Sequence, residues 1–105
     1  MTRRFDEDWE YETVAAGQSD QVMGPTGAAG DWLAGVLIVP ATTAAGAVSI
    51  KDGGGSAISI WAGGGTTPLI TLQPFFVPLG IRSEAGAWKI TTGSNVSAIG
   101  IGNFT

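Results

Sequence analysis

The chain has 105 residues and a net charge of −4, from 5 basic and 9 acidic side chains, which is enough length for one domain with a modest core. It contains no cysteine and no histidine, so disulfides, thiolate nucleophiles, Cys/His zinc sites and imidazole bases are excluded. The few basic residues form no cluster, which argues against nucleic acid or an anionic membrane as a partner.

The first segment, residues 1–10, is rich in charge and aromatic side chains. Its two arginines are followed by acidic residues rather than by an apolar run, so no secretory signal is predicted. Two interpretations stay open: a solvated tail, or an arm that orders when its aromatic rings dock on a neighbour. We therefore divide the chain into an N-terminal arm, 1–10, and a domain, 11–105. The predicted partner-binding residues in this region are Arg3, Arg4, Phe5, Trp9 and Tyr11.

After the arm, short apolar or alternating segments are separated by turn residues, as is typical of antiparallel β-proteins. Residues 11–16 and 21–23 are predicted to form the first two strands. In the next predicted strand, 31–40, every position from 35 to 39 is apolar. This run predicts a central strand that is buried on both faces.

The sequence Asp52-Gly53-Gly54-Gly55-Ser56 is the strongest hairpin signal, because glycine reaches positive φ without a Cβ penalty. It separates two alternating segments, 47–51 and 57–61. Trp61 is out of phase with the aliphatic residues of its segment, so we expect it on the opposite face, where it would contact a partner. The residues predicted to face inward are Val48, Ile50, Ile58 and Ile60.

The remaining predicted strands are residues 69–72, 75–82, 87–91 and 96–101. Pro78 lacks an amide hydrogen, which indicates an edge strand or a bulge. Trp32 and Trp88 lie within strand patterns and are predicted to belong to the core. In the segment 75–82, alternation places four side chains on one face, namely Phe75, Val77, Leu79 and Ile81.

Together these segments predict an all-β fold: a β-sandwich, jelly-roll or immunoglobulin-like, of about seven to nine short antiparallel strands with an extended N-terminal arm. Spacing alone does not give the pairing order. The domain is also poor in charge (13% over the whole chain) and rich in glycine. Such a surface is weakly hydrated and favours association, although a compact monomer with a Ser/Thr coat remains the alternative.

No pattern in the sequence indicates catalysis. The glycine clusters at 53–55 and 63–65 lack the Lys-Ser or Lys-Thr that a phosphate-binding loop requires. The acidic residues of the domain lie in or beside predicted turns, where Asp commonly bonds to the backbone, and no calcium-loop spacing occurs. The acidic residues of the domain are Asp20, Asp31, Asp52 and Glu84. Because no catalytic pattern is present, we predict a protein that is not an enzyme, with no catalytic residues, metal or cofactor.

Several stretches together resemble small virion proteins of tailed bacteriophages: residues 19–24 (SDQVMG), 30–33 (GDWL), 48–53 (VSIKDG), 78–83 (PLGIRS) and 86–93 (GAWKITTG). The resemblance covers roughly residues 12–104. It implies a capsid decoration or cement subunit, made in the host cytoplasm and located on the surface of the phage head. It also implies contacts with the major capsid protein or other virion proteins, and homo-oligomers, most often trimers. In such proteins a terminal arm and one domain face clamp adjacent capsomers.

Two alternatives to a decoration subunit stay open. One is another virion component, such as a head fibre, a tail protein or a receptor-binding module. The other is a carbohydrate-binding or adhesion β-sandwich outside any virus. In both, Trp61 and the glycine-rich loops would contact a glycan.

Overall fold

The computed structural model describes residues 9–42, 44–64 and 73–105, which form eight β-strands in two four-stranded antiparallel sheets. The all-β class and the strand number expected from the sequence are confirmed. The predicted strand at 69–72 and most of the arm lie outside the described residues. The strands are β1 (Glu10–Val14), β2 (Gln21–Val22), β3 (Trp32–Pro40), β4 (Val48–Asp52), β5 (Ile58–Trp61), β6 (Phe75–Arg82), β7 (Trp88–Thr92) and β8 (Val96–Asn103).

The strand order is that of a jelly roll. The first sheet has the order β1-β8-β3-β6 and the second has the order β2-β7-β4-β5. β1 pairs with β8, β2 with β7, β3 with β6 and β4 with β5, so the chain is one long hairpin folded in half. The additional pairs β3–β8 and β4–β7 roll that hairpin into two facing sheets. This order selects the jelly roll over the immunoglobulin-like alternative.

The tip of the long hairpin is the loop that the sequence marked most clearly. Gly53 has a φ of 60°, a conformation that an L-residue with a Cβ rarely adopts, and it directly follows β4. The Asp52 carboxylate accepts the backbone N–H groups of Glu84 and Ala85 at 2.8–3.0 Å. The loop therefore also ties the tip of the hairpin to the β6–β7 connection.

The core lies between the two sheets and is built from the inward side chains of both. Trp88 is 2% exposed, as predicted, and its indole N–H donates to the Asp31 carbonyl at 2.9 Å. The other large side chains that are fully buried are Met23, Leu33, Ile38, Ile50, Ile90, Val14, Val36, Val48 and Val96. A sandwich of this size buries its apolar stripes only by facing the two sheets together.

Trp32 does not belong to this core, so the prediction for it is wrong. It alternates with buried Leu33 and therefore points to the outer side of the first sheet, where it is half-buried. Its ring lies beside Gly80, and the Arg82 guanidinium carbon is 5.5 Å from the ring centroid. That distance is typical of a cation–π contact.

Hydrogen bonds to the buried residue Asp31 stabilise one corner of the sandwich. Asp31, which is 4% exposed, accepts the N–H groups of Ala28 and Thr105 at 3.1 Å and the Thr105 hydroxyl at 3.0 Å. Buried carboxylates are tolerated where such donors replace water. Because the Asp31 carbonyl also binds Trp88 of the other sheet, this one residue connects both sheets with residue 105.

Candidate interaction surface

The outer side of the first sheet carries an unusual concentration of apolar side chains. Residues directly opposite each other on neighbouring strands share a face, so the strand register defines three rows. The first is Tyr11–Ile101–Gly35–Pro78, the second is Thr13–Ile99–Leu37–Phe76, and the third is Ser97–Val39. We call these ten residues the apolar face. None of them is charged.

β8 shows why this face is apolar. In the sequence Val96–Asn103 the small residues Gly100 and Gly102 point inward, and Ile99 and Ile101 point outward. A Cβ at Gly100 would lie 2.7 Å from the sulfur of Met23, which directly follows β2, so the core volume at that position is already filled. At Gly100 the inward side of β8 therefore requires a small residue, and the large aliphatic residues on either side of it point outward.

Two features give the apolar face its shape. A shallow groove of about 400 Å³ is lined by Trp9, Glu10, Tyr11, Leu37, Ile99 and Ile101. Towards the other edge, on β6, the Phe76 ring lies over Gly35 and remains 45% exposed. The face thus combines a groove beside β1 with an exposed aromatic ring on β6.

Charge appears only where the apolar face ends. Next to the row that contains Tyr11, on the same outer side of the sheet, Trp32 lies opposite Arg82. The Arg82 side chain donates to the Gly30 carbonyl at 3.2 Å in addition to lying on the Trp32 ring. Among the described residues, the apolar face therefore has an uncharged centre, with Arg82 at its perimeter and Glu10 at the edge of the groove.

β3 was expected to be buried on both faces, and the structure corrects that expectation. It is a central strand, paired with both β6 and β8. Leu37 and Val39, however, point to the outer side and are only half-buried, in contact with their own sheet. In the described part of the chain, a two-layer sandwich leaves the second apolar side of this strand facing outward.

The outer side of the second sheet is different. Its rows are Thr91–Ser49–Ser59 and Val22–Lys89–Lys51, and we call these six residues the polar face. Lys51 donates to the Asp20 carboxylate at 3.1 Å. Its hydrogen bond, then that of Thr91, and the nearby charges of Lys51 and Lys89 lower the pKa of Asp20 below its usual 3.8.

The predicted partner-binding residues fall into three groups. Arg3, Arg4 and Phe5 lie outside the described residues. Trp9 and Tyr11 both line the groove of the apolar face and are 42% and 73% exposed. Their role in binding stays a prediction, but the structure places them together at the surface where β1 begins.

Trp61 lies elsewhere, and its expected orientation is wrong. A bulge in β5 places Trp61 opposite buried Val48, where alternation from Ile58 predicted the other face. Trp61 is therefore half-buried against the core, and its ring contacts Phe75 edge-to-face with centroids 5.5 Å apart. Ile58 is on the core side, as expected, but lies on an edge strand and remains 48% exposed.

Sequence reasoning missed the main feature of this surface. The signal was present in β8, where isoleucine alternates with glycine, but periodicity alone does not reveal which set faces the core. Across the described residues, no three side chains of the metal-binding types His, Cys, Asp or Glu come together. Within those same ranges, no helix is sufficiently long and apolar to span a membrane.

Comparisons of this chain with known protein families, with curated proteins and with solved structures found no match.

Proposed function

We propose that this protein is a structural subunit of a larger assembly, and that the assembly is the head of a tailed bacteriophage, on which it acts as a decoration or cement protein. The observation that supports the proposal best is the apolar face: an outer sheet surface of ten residues without a charge. Contiguous apolar surface of this kind marks an interaction site in soluble proteins.

The choice of a phage head rests on the resemblance of residues 12–104 to virion proteins. The jelly roll agrees with it, because viral capsid domains use this architecture, although lectins do so too. A subunit that binds only the assembled shell stabilises that shell by mass action. In this function the apolar face is covered in the assembly, and the arm, with Trp9 and Tyr11 at its junction with β1, adds contacts to the major capsid protein.

The first test concerns the genome. The proposal predicts that the reading frames beside this one encode capsid, portal or tail proteins. Neighbours that encode only metabolic enzymes or cell-surface proteins would remove the basis for a phage head.

The second test is biochemical. Heads are prepared from a phage in which this gene is deleted, and purified protein is added at increasing concentration. We expect saturable co-sedimentation and a higher temperature of DNA release than for the undecorated heads. Chains lacking residues 1–10 should bind less tightly. Full binding by that truncated chain would show that the arm is not a clamp, and no binding by the complete chain would overturn the function itself.

The glycan-binding alternatives make a different prediction. They require binding on a glycan array, with no effect on head stability.

A further inference from the structure

We propose that the apolar face binds the same face of a second copy of this chain, which gives a two-fold symmetric dimer with two first sheets packed against each other. The inference rests on the proposed function and deepens it, because it names the occupant of the same surface.

The charge distribution favours a second copy over an ordinary protein surface. Burying an unpaired charge is costly, so the partner of an uncharged surface must itself be uncharged at its centre. The apolar face meets that condition for itself, since none of its ten residues is ionisable except for the phenol of Tyr11. The polar face does not, because Lys51 and Lys89 lie at its centre.

The area is sufficient for a concentration-dependent dimer. With a two-fold axis along β3, the strands β8, β3 and β6 of each copy overlap, and at about 4.8 Å spacing and some eight residues of length they cover roughly 380 Å² per copy. Two copies would bury roughly 750 Å², which is in the range of weak, transient interfaces.

The shape of the face is complementary to itself. The Phe76 side chain comes from β6, and its ring lies over Gly35 of the neighbouring β3. A two-fold axis that runs along β3 lays β6 of one copy over β8 of the other, because both strands flank β3 at the same distance. The Phe76 rings of the two copies then meet near the axis, and Ile99 and Ile101 of each copy face β6 of the other.

The experiment measures the mass of the purified complete chain by sedimentation equilibrium from about 1 μM to 1 mM. We expect a shift from the 10.7 kDa monomer to twice that mass. Tyr11→Lys and Phe76→Ala alter exposed side chains of the apolar face and should each raise the dissociation constant at least tenfold. Ser59→Lys adds the same charge to an exposed position of the polar face and should leave it unchanged.

Circular dichroism of each variant shows whether it has folded, so that a loss of association is assigned only to folded chains. A monomer at 1 mM, a trimer, or equal weakening by Ser59→Lys would overturn the dimer. The proposed function is tested separately. Dimers that do not bind phage heads refute the function alone. Wild-type monomers that bind heads, with binding lost in Tyr11→Lys, refute the dimer alone.

Discussion

The two outer faces of this sandwich use the same strand geometry and opposite chemistry. On the polar face, Ser49, Thr91 and two lysines point outward, and Asp20 neutralises one of the lysines at 3.1 Å. On the apolar face, Ile99, Ile101 and Leu37 occupy the equivalent positions between their neighbouring strands. One face is therefore polar and hydrated, and the other exposes apolar side chains that, in the proposed function, a second surface covers.

The difference arises in the core. The second sheet fills its inner side with large residues such as Trp88 and Ile90, which leaves polar residues for the outside. The first sheet has glycines on the inner side of β8, where Met23 from the opposite layer takes the space. Core volume contributed by one sheet thus allows the other to present its aliphatic side chains outward. Four predictions test how the two faces contribute to stability and to association.

The largest effect is expected at the corner that holds the two sheets together. Asp31→Ala removes the carboxylate that accepts the N–H groups of Ala28 and Thr105. Two charge-assisted hydrogen bonds at about 1.5 kcal/mol each should lower the free energy of unfolding by about 3 kcal/mol. Asp31→Asn keeps one oxygen and should lose about half as much. Urea unfolding measures both. An alanine variant as stable as wild type would show that the Asp31 carboxylate does not stabilise this corner.

The next effect concerns the apolar face itself. A Cβ at Gly35 would collide with the Phe76 ring and lie 2.5 Å from the Val77 carbonyl oxygen. Gly35→Ala should therefore destabilise the fold by about 2 kcal/mol through overpacking and weaken dimerisation by displacing Phe76. Gly54→Ala is the control, because a Cβ there meets no atom within 4 Å. If both variants unfold at the same urea concentration, Phe76 does not lie over Gly35 in solution.

A smaller change in stability, but a clear change in mass, is expected when the polar face is made apolar. Ser49 and Ser59 are cross-strand partners on that face. Replacing both with isoleucine should alter the free energy of unfolding by less than about 1 kcal/mol, since isoleucine is favoured in strands. The doubly apolar chain should form species larger than a dimer in sedimentation. The double threonine variant is the matched control and should behave as wild type.

The parts of the fold that followed from sequence are those that local chemistry determines. The Asp52–Gly53 turn, the central position of β3 and the burial of Trp88 depend on nearby residues, and all were predicted. Trp61 was misplaced because a single bulge in β5 reverses its side. The strand order also escaped prediction, because turns of similar length connect many different topologies.

The candidate surface was harder to predict than the fold for a physical reason. Alternation in Val96–Asn103 identifies two sides of a strand, and the usual rule turns isoleucine inward. The rule fails here because Met23, distant in sequence, occupies the space beneath Gly100. Only the packed structure shows that contact. Tyr11 and Trp9 were predicted to be contact residues from composition alone, and that role stays a prediction. The structure adds that both line a groove with Leu37 of β3.

The smallest effect is expected on the polar face, where Asp20 has a lowered pKa because it accepts a hydrogen bond from Lys51 and then one from Thr91. A lowered carboxylate pKa contributes stability above the unfolded value, and that contribution is lost as the pH falls below 3.8 through the folded value. Lys51→Met should raise the Asp20 pKa towards 3.8, measured by NMR titration of its carboxyl carbon. Lys89→Met removes a neighbouring charge but no hydrogen bond to Asp20, and should raise the Asp20 pKa less. A larger rise in the Lys89 variant would mean that the charge of Lys89, and not the ion pair with Lys51 at 3.1 Å, is the main cause of the lowered Asp20 pKa.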